Sequence, residues 1–315
     1  MIECFKKIDN KLVQLDEQET GCWINIKPPY AVGEIEAFAK KMDIELDFLS
    51  DSLDTDERSR YEKEEDVRLI LVNAPTRNVS APENEALYLT VPIGIILTPD
   101  HIITISSHER TIMWRFRTEK VKRFEPNNHQ KFVLQIFEQI VQDYLFCLKK
   151  LNQRRNEIEK ELYDSSRNRE LRNLLAIEKS LVYFVNSLST NDLLKLKMKR
   201  TDFLGIRNDE DLSDLFEDII IDNSQALDMS NIYTNILNGT MEAYASIISN
   251  NLNMVIQRLT LITIILMVPT LVASLYGMNV PLPFKNNEYA FYFIIIFSLV
   301  ISGFVASYFR KKRLF

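Results

Sequence analysis

Charge is missing from two stretches of this 315-residue chain, and that absence constrains the fold more than any other feature. Leu259 to Ser274 carries no charged side chain, and neither does Tyr289 to Phe309; between Leu259 and Phe309 only Lys285 and Glu288 are ionised. A hydrocarbon core ~30 Å thick is crossed by about 20 apolar residues of helix. The second stretch has that length, and its Tyr289, Tyr292 and Tyr308 suit the two membrane interfaces. The first, Leu259 to Tyr276, reaches it with the snorkelling stem of Arg258 and the uncharged run Asn250 to Gln257 below it. Pro269 is tolerable there, because membrane helices accept proline when a neighbour covers the carbonyl it frees. Two membrane-spanning helices are predicted near the C-terminus, with a large water-facing part ahead of them.

The remaining composition follows the same partition. Overall, 46% hydrophobic and 26% charged residues exclude a disordered chain, a collagen or a disulfide scaffold. Positions 1–258 hold 33 basic and 43 acidic residues, a balance of −10, whereas the last six residues carry +4. An acidic body repels nucleic acid and weakly favours a cation partner. Arg310-Lys311-Lys312-Arg313 follows the second span directly, while the connection Val280 to Glu288 holds one lysine, so the tail is expected in the cytosol. Two spans return the N-terminus to that side, and Met1 to Asn10 has no apolar stretch of the kind a cleavable signal contains. Cys4, Cys22 and Cys147 are far apart in sequence, without a CxxC pair or a flanking histidine, and are expected as free buried thiols in a reducing compartment.

The expected fold class is an α+β membrane protein. A cytosolic α/β domain over 1–125 contains strands at Trp23–Ile26, Val67–Val72 and Ala86–Val91, and a helical stretch from Glu34 to Asp54 with Ile35, Phe38, Met42, Leu46 and Leu49 on one face. Gly94–Thr98 and His101–Ile105, joined by Pro99-Asp100, read as a hairpin. Over 126–213, glycine and proline all but vanish and Phe132, Ile136, Ile140, Tyr144 and Leu148 recur every four residues, so long helices are predicted, with a polar break at Arg200–Ser213. From Asp214 to Val268 there is no proline and one glycine, Gly239; these 55 residues would make ~80 Å of helix. The part over 214–258 is expected as a cytosolic stalk. It leads into the first membrane helix and its closing motif (259–279), an outer loop (280–288), the second membrane helix (289–309) and the basic tail (310–315).

Stepping from Asn253 by 3 and 4 residues gives Asn253, Ile256, Thr260, Thr263, Met267, Thr270 and Ser274. Every serine and threonine of the first span falls on this stripe. At 100° per residue the four hydroxyls cover an arc of about 80°, a clustering that four independent positions reach only ~4% of the time. In lipid such a stripe faces either other helices, through small residues, or water. A water-lined passage would require several copies of the chain with the first span innermost, since two helices cannot enclose a pore.

Beyond the stripe stand Tyr276-Gly277-Met278-Asn279 and then Pro281. Locally, a glycine after an apolar helix supplies a left-handed cap, and a proline shortly afterwards stops the helix. This tetrad closes the first of two C-terminal spans, with a short outer loop, a basic tail and a long acidic body ahead. The arrangement resembles the CorA family of divalent-cation transport proteins, whose hallmark is the Gly-Met-Asn triplet. Leu53-Asp54 and Glu57-Arg58 are similar to that family's N-terminal pattern. The resemblance spans essentially the whole chain. The outer loop departs from it, lacking the family's Met-Pro-Glu, with Glu288 the one acidic residue present.

The resemblance implies a homopentamer whose first spans line a central pore. Gly277, Met278 and Asn279 would form the selectivity filter, with the Asn279 side-chain carbonyl in its outer ring. Asn253, Ile256, Leu259, Met267 and Thr270 would line the pore, joined on the stripe by Thr260, Thr263 and Ser274. Leu259, Ile256 and Met267 would make an apolar constriction, and Asn253 an inner polar ring. Mg²⁺ is the implied cargo and also the implied regulator, bridging carboxylates between subunits; Asp218 and Asp222, with Glu217, are the nearest candidates, their alternative being ordinary solvated carboxylates. Mg²⁺ dehydrates reluctantly, and a neutral amide ring can hold its waters without stripping them. The function expected is passive uptake of Mg²⁺, with Co²⁺ or Ni²⁺ as further cargo, across the plasma membrane. The alternatives are Zn²⁺ transport by a sister branch with the same triplet, and a membrane-anchored sensor or scaffold. No Walker loop, glycine-rich fingerprint, nucleophile elbow or histidine metal cluster is present, so no enzyme activity is expected.

Overall fold

The structure is a computed structural model and describes residues 1–9, 11–79, 85–108, 112–164, 168–279, 283 and 289–312. Among these are seven strands: β1 (Ile2–Ile8), β2 (Lys11–Leu15), β3 (Trp23–Ile26), β4 (Arg60–Glu64), β5 (Val67–Arg77), β6 (Tyr88–Leu97) and β7 (Ile102–Ile105). Seven α-helices accompany them: α1 (Glu34–Met42), α2 (Leu46–Ser50), α3 (Met113–Arg117), α4 (His129–Asp164), α5 (Asn168–Thr201), α6 (Glu210–Tyr276) and α7 (Ala290–Lys311). The chain divides into two compact units, Met1–Thr240 and Met241–Phe315.

In the first unit the strands make one mixed sheet, ordered β2-β1-β3-β7-β6-β5-β4, with β3 and β7 parallel and all other neighbours antiparallel. The β6–β7 hairpin forms as expected, with Thr98 N–H returning to the His101 carbonyl at 2.9 Å. One face, carrying Cys4, Cys22, Ile24, Leu69, Ile96 and Ile103, is covered by Phe38, Ala39, Phe48 and Leu49 of α1 and α2. On the other side Trp23, fully buried, packs among the rings of Phe5, Phe116, Phe124 and Phe132 and donates its indole N–H to Thr104 Oγ1 at 2.8 Å. A tryptophan this deep requires such a partner, since an unsatisfied buried N–H is costly.

The helical stretch expected from Glu34 to Asp54 is broken. Asp43 adopts a left-handed φ of 54°, ending α1, and the chain restarts as α2 and a 3-10 turn over Asp51–Leu53. Ile35, Phe38, Met42 and Leu49 of the expected face reach one core, but Leu46 is exposed because the break turns the chain, and Phe48 enters the core instead.

α4 and α5 cover the sheet through β5 and β6. Pairing with β4 ends at Leu71, so Asn73 faces an open sheet edge. Asn191 of α5 closes that edge: its Oδ1 accepts from the Asn73 N–H at 3.0 Å, and its Nδ2 donates to the Asn73 carbonyl at 2.8 Å. Tyr144 of α4 donates to the same carbonyl at 3.1 Å. Buried backbone groups beyond the last strand are thereby satisfied by helix side chains.

α6 begins at Glu210, four residues before the predicted start. Asp209 caps it, its carboxylate accepting from the Leu212 N–H at 3.0 Å, and Glu210 and Asp211 add favourable negative charge to the first turn. The helix then runs unbroken for 67 residues to Tyr276.

Candidate functional site

In the second unit, the C-terminal part of α6 packs against α7. The two helices have apolar windows with mean hydropathy 2.2 and 2.3, long enough to cross a membrane and almost entirely exposed within the chain. A core helix of a water-soluble protein would be buried instead.

Over 259–276, burial on α6 is confined to one stripe. Leu261 is buried, and Ile265, Val268, Pro269, Val272 and Tyr276 are partly covered. The neighbour on this side is α7, whose Ser298 and Ser302 are buried. Pro269 has no N–H to give the Ile265 carbonyl four residues back. Ser302 Oγ stands 3.4 Å from that carbonyl and 2.9 Å from the carbonyl of Ser298, so its proton can serve either. The freed acceptor is covered, as a proline inside a membrane helix requires.

The hydroxyl stripe lies on the opposite face. Taking 100° per residue, Thr260, Thr263, Met267, Thr270 and Ser274 are centred about 190° from the residues turned toward α7. All five are exposed, as are Asn253, Ile256 and Leu259 below them. Each threonine donates its proton to its own helix: Thr260 to the Ile256 carbonyl at 2.8 Å, Thr263 to Leu259 at 2.9 Å and Thr270 to Leu266 at 3.1 Å. Their oxygen lone pairs are left facing outward.

Gly277, Met278 and Asn279 follow the last helical turn and are exposed. Gly277 N–H returns to the Ala273 carbonyl at 2.9 Å, and Met278 N–H to Leu275 at 3.3 Å. The left-handed cap expected at Gly277 does not form: the positive-φ glycines among the described residues are Gly21, Gly33 and Gly205. A Cβ on Gly277 would sit 3.4 Å from the carbonyl oxygens of Ala273 and Ser274, a close contact without a clash. The turn tightens by continuing the helix rather than by reversing its hand. Of the outer loop only Pro283 is described, so Pro281, Lys285 and Glu288 lie outside the described residues, as does Arg313.

The candidate regulatory carboxylates belong to the first unit. Asp218 is exposed on α6 and Asp222 is half-buried one turn further on. Glu217 forms an ion pair with Lys199 of α5 at 3.0 Å, so it is not a free ligand. Sequence spacing gave no sign of Glu138, which α4 brings near Asp222; burial first, and then the Asp222 charge, push its carboxyl above the ordinary range. No group of three or more His, Cys, Asp or Glu side chains that could hold a metal ion occurs among the described residues of the single chain.

One grouping is invisible in the sequence, where no histidine flanks a cysteine. Strand pairing brings Cys4, Cys22 and His101 together, with Cys22 Sγ 3.5 Å from His101 Nδ1. Parallel pairing of segments about 80 residues apart carries no local spacing signal, so sequence reading missed it. All three thiols are free and buried, as expected.

Residues 18–311 match the family described as CorA-like Mg²⁺ transporter protein. The chain belongs to that family. It is 29% identical over 295 residues to the cobalt/magnesium transport protein CorA of Methanocaldococcus jannaschii, covering 92% of this chain and 90% of that one. It is 23% identical to the cobalt/magnesium transport protein CorA of Thermotoga maritima, over 98% of this chain and 88% of the other. The complete structure of the M. jannaschii CorA magnesium transporter superposes with a TM-score of 0.81 at 26% identity, covering 98% of this chain and 97% of that one. The CorA-like fold therefore extends over the sheet domain, the long helix and both apolar helices.

Proposed function

We propose that this chain forms a passive divalent-cation channel for Mg²⁺ uptake across the plasma membrane, with Co²⁺ or Ni²⁺ as further cargo. Several copies, five by the family resemblance, stand in a ring with α6 innermost and α7 toward lipid. Both termini are cytosolic. Asn279 forms the outer ring, with Gly277 and Met278 shaping its turn; Ser274, Thr270, Met267, Thr263, Thr260, Leu259, Ile256 and Asn253 line the passage inward.

The observation that carries this reading is the face relation on α6. The polar stripe points away from α7, the neighbour of α6 among the described residues of its unit, and leads to the exposed Asn279. In a bilayer, a polar face so directed is stable against water or further copies and unstable against acyl chains.

Neutral amide oxygens suit a hydrated ion whose outward-facing groups are water protons, and they hold it weakly enough for it to leave. The ring of Leu259, Ile256 and Met267 closes by dewetting. Cytosolic Mg²⁺ favours the closed state by bridging Asp218 and Asp222 to carboxylates of a neighbouring copy.

Flux into proteoliposomes tests the filter. Wild-type protein takes up Mg²⁺ and Co²⁺, and Asn279→Leu reduces uptake at least tenfold while gel filtration shows an unchanged assembly. Undiminished Mg²⁺ flux through Asn279→Leu would refute the assignment of the filter, and a preference for Zn²⁺ would move the chain to the zinc-transporting reading.

A further inference from the structure

We infer that Cys4 and Cys22 are a peroxide-oxidisable dithiol that closes reversibly to a disulfide, a modification site in the sheet domain independent of the transport reading. The geometry comes from the sheet. In the antiparallel β1–β3 ladder Cys4 stands opposite Ile24, and Cys22, two residues earlier than Ile24, shares its face. Both side chains enter the same core beneath α1, on one face of two adjacent strands. Parallel pairing of β3 with β7, Trp23 opposite Ile102, sets His101 beside Cys22, where Nδ1 lies 3.5 Å from Sγ. The histidine in turn lines an open cavity of about 720 Å³ with Asp43, Glu64, Asp66 and Asp100, so the cavity reaches the ring that touches Cys22.

The two sulfurs are chemically unequal. The neighbouring Cys4 thiol holds the Cys22 thiol below its ordinary range against the opposing effect of burial, and His101 adds to that lowering. The same pairing, together with burial, pushes Cys4 upward, so Cys4 keeps its proton. One sulfur is the nucleophile and the other the resolving thiol, which is the division a peroxide-reactive pair needs. Cys147 is an internal control: burial, reinforced by Asp143, pushes it up to about 12.

The oxidant is hydrogen peroxide or an organic hydroperoxide. The Cys22 thiolate attacks the O–O bond, forming sulfenic acid and releasing hydroxide (alkoxide from a hydroperoxide), which takes up a proton. The Cys4 thiol then attacks the sulfenic sulfur; an S–S bond forms, and the sulfenic hydroxyl leaves as water with the Cys4 proton. With hydrogen peroxide the sum is two thiols oxidised by two electrons and one peroxide reduced to two waters. A dithiol reductant returns both electrons.

The full-length protein in detergent is treated with stoichiometric hydrogen peroxide, alkylated with N-ethylmaleimide, digested and mapped by mass spectrometry. The expected product is a peptide pair linked through Cys4 and Cys22, lighter by two hydrogens and restored by dithiothreitol, with Cys147 protected from oxidation. In Cys4→Ala, dimedone traps sulfenic acid at Cys22. In His101→Phe, Cys22 oxidation at neutral pH slows several-fold and its pH profile moves upward, a shift that a purely structural role for the ring would not produce. Wild-type mapping alone can overturn the inference: Cys22 oxidised no faster than Cys147, or linkage to Cys4 that appears only after unfolding in guanidinium, would do so.

Discussion

Lys195 shows how far a single position can depart from its local pattern. It lies in Leu193-Leu194-Lys195-Leu196-Lys197, where the lysines resemble a solvated face, yet Lys195 is 0% exposed while Leu193 and Leu196 are exposed. Its Nζ meets Asn223 Oδ1 of α6 at 2.7 Å and stands 5.5 Å from the Phe137 ring of α4. The Asn223 amide turns its other end to Asp192, at 3.2 Å, so no carboxylate touches the ammonium directly. Burial lowers Lys195 from its ordinary 10.5 to about 7, opposed by the Asp192 charge. Between those two values the unfolded chain holds a proton that the folded chain has released. Stability therefore rises with pH across that window, by up to about 1.4 kcal/mol per pH unit. Below about pH 7 both states are protonated and the full penalty remains. Comparing thermal unfolding of wild type and Lys195→Met at pH 6 and pH 9 isolates this contribution: the variant gains most at pH 6, and the difference narrows at pH 9. A difference independent of pH would mean that the amine stays charged in the fold.

Among elements, helices were far more legible than strands. The four-residue recurrence of Phe132, Ile136, Ile140, Tyr144 and Leu148 marks α4 because one face of a long helix must find the core, and all five are buried. β4, with the sequence Arg-Tyr-Glu-Lys-Glu, escaped notice because it is a sheet edge, where charge discourages pairing with other chains and erases the apolar alternation. β1 and β2 were missed as well, β1 because Lys6 and Lys7 interrupt its alternation and β2 because it is a short, largely exposed edge strand. The stripe on α6 could be read from spacing alone, whereas its direction relative to α7 could not, since that depends on which face Ser298 and Ser302 present. The Pro269–Ser302 contact makes that direction testable. Ser302→Ala leaves the Ile265 carbonyl uncovered and destabilises the helical hairpin by about 0.5–1.5 kcal/mol. Pro269→Ala restores an N–H to that carbonyl, so in its background Ser302→Ala should cost much less. Thermal unfolding of the four proteins in one detergent gives the coupling, and additive effects would mean that Ser302 serves only Ser298.

At the scale of the whole molecule, the passive channel proposed above would draw its drive from the membrane potential. A divalent ion gains about 4.6 kcal/mol per 100 mV. Mg²⁺ uptake into liposomes should rise steeply with an inside-negative potassium diffusion potential and ignore an imposed proton gradient; strict proton dependence would point to coupled transport instead. The threonine geometry has a further bearing on what crosses. Thr260, Thr263 and Thr270 have each committed their only proton to a carbonyl one turn back. Chloride, which is held by donors, would find none on offer from these three side chains, whereas the hydration shell of a cation would find acceptors at each level. In the proposed pore such a lining would discriminate by the sign of the permeant without any fixed charge of its own.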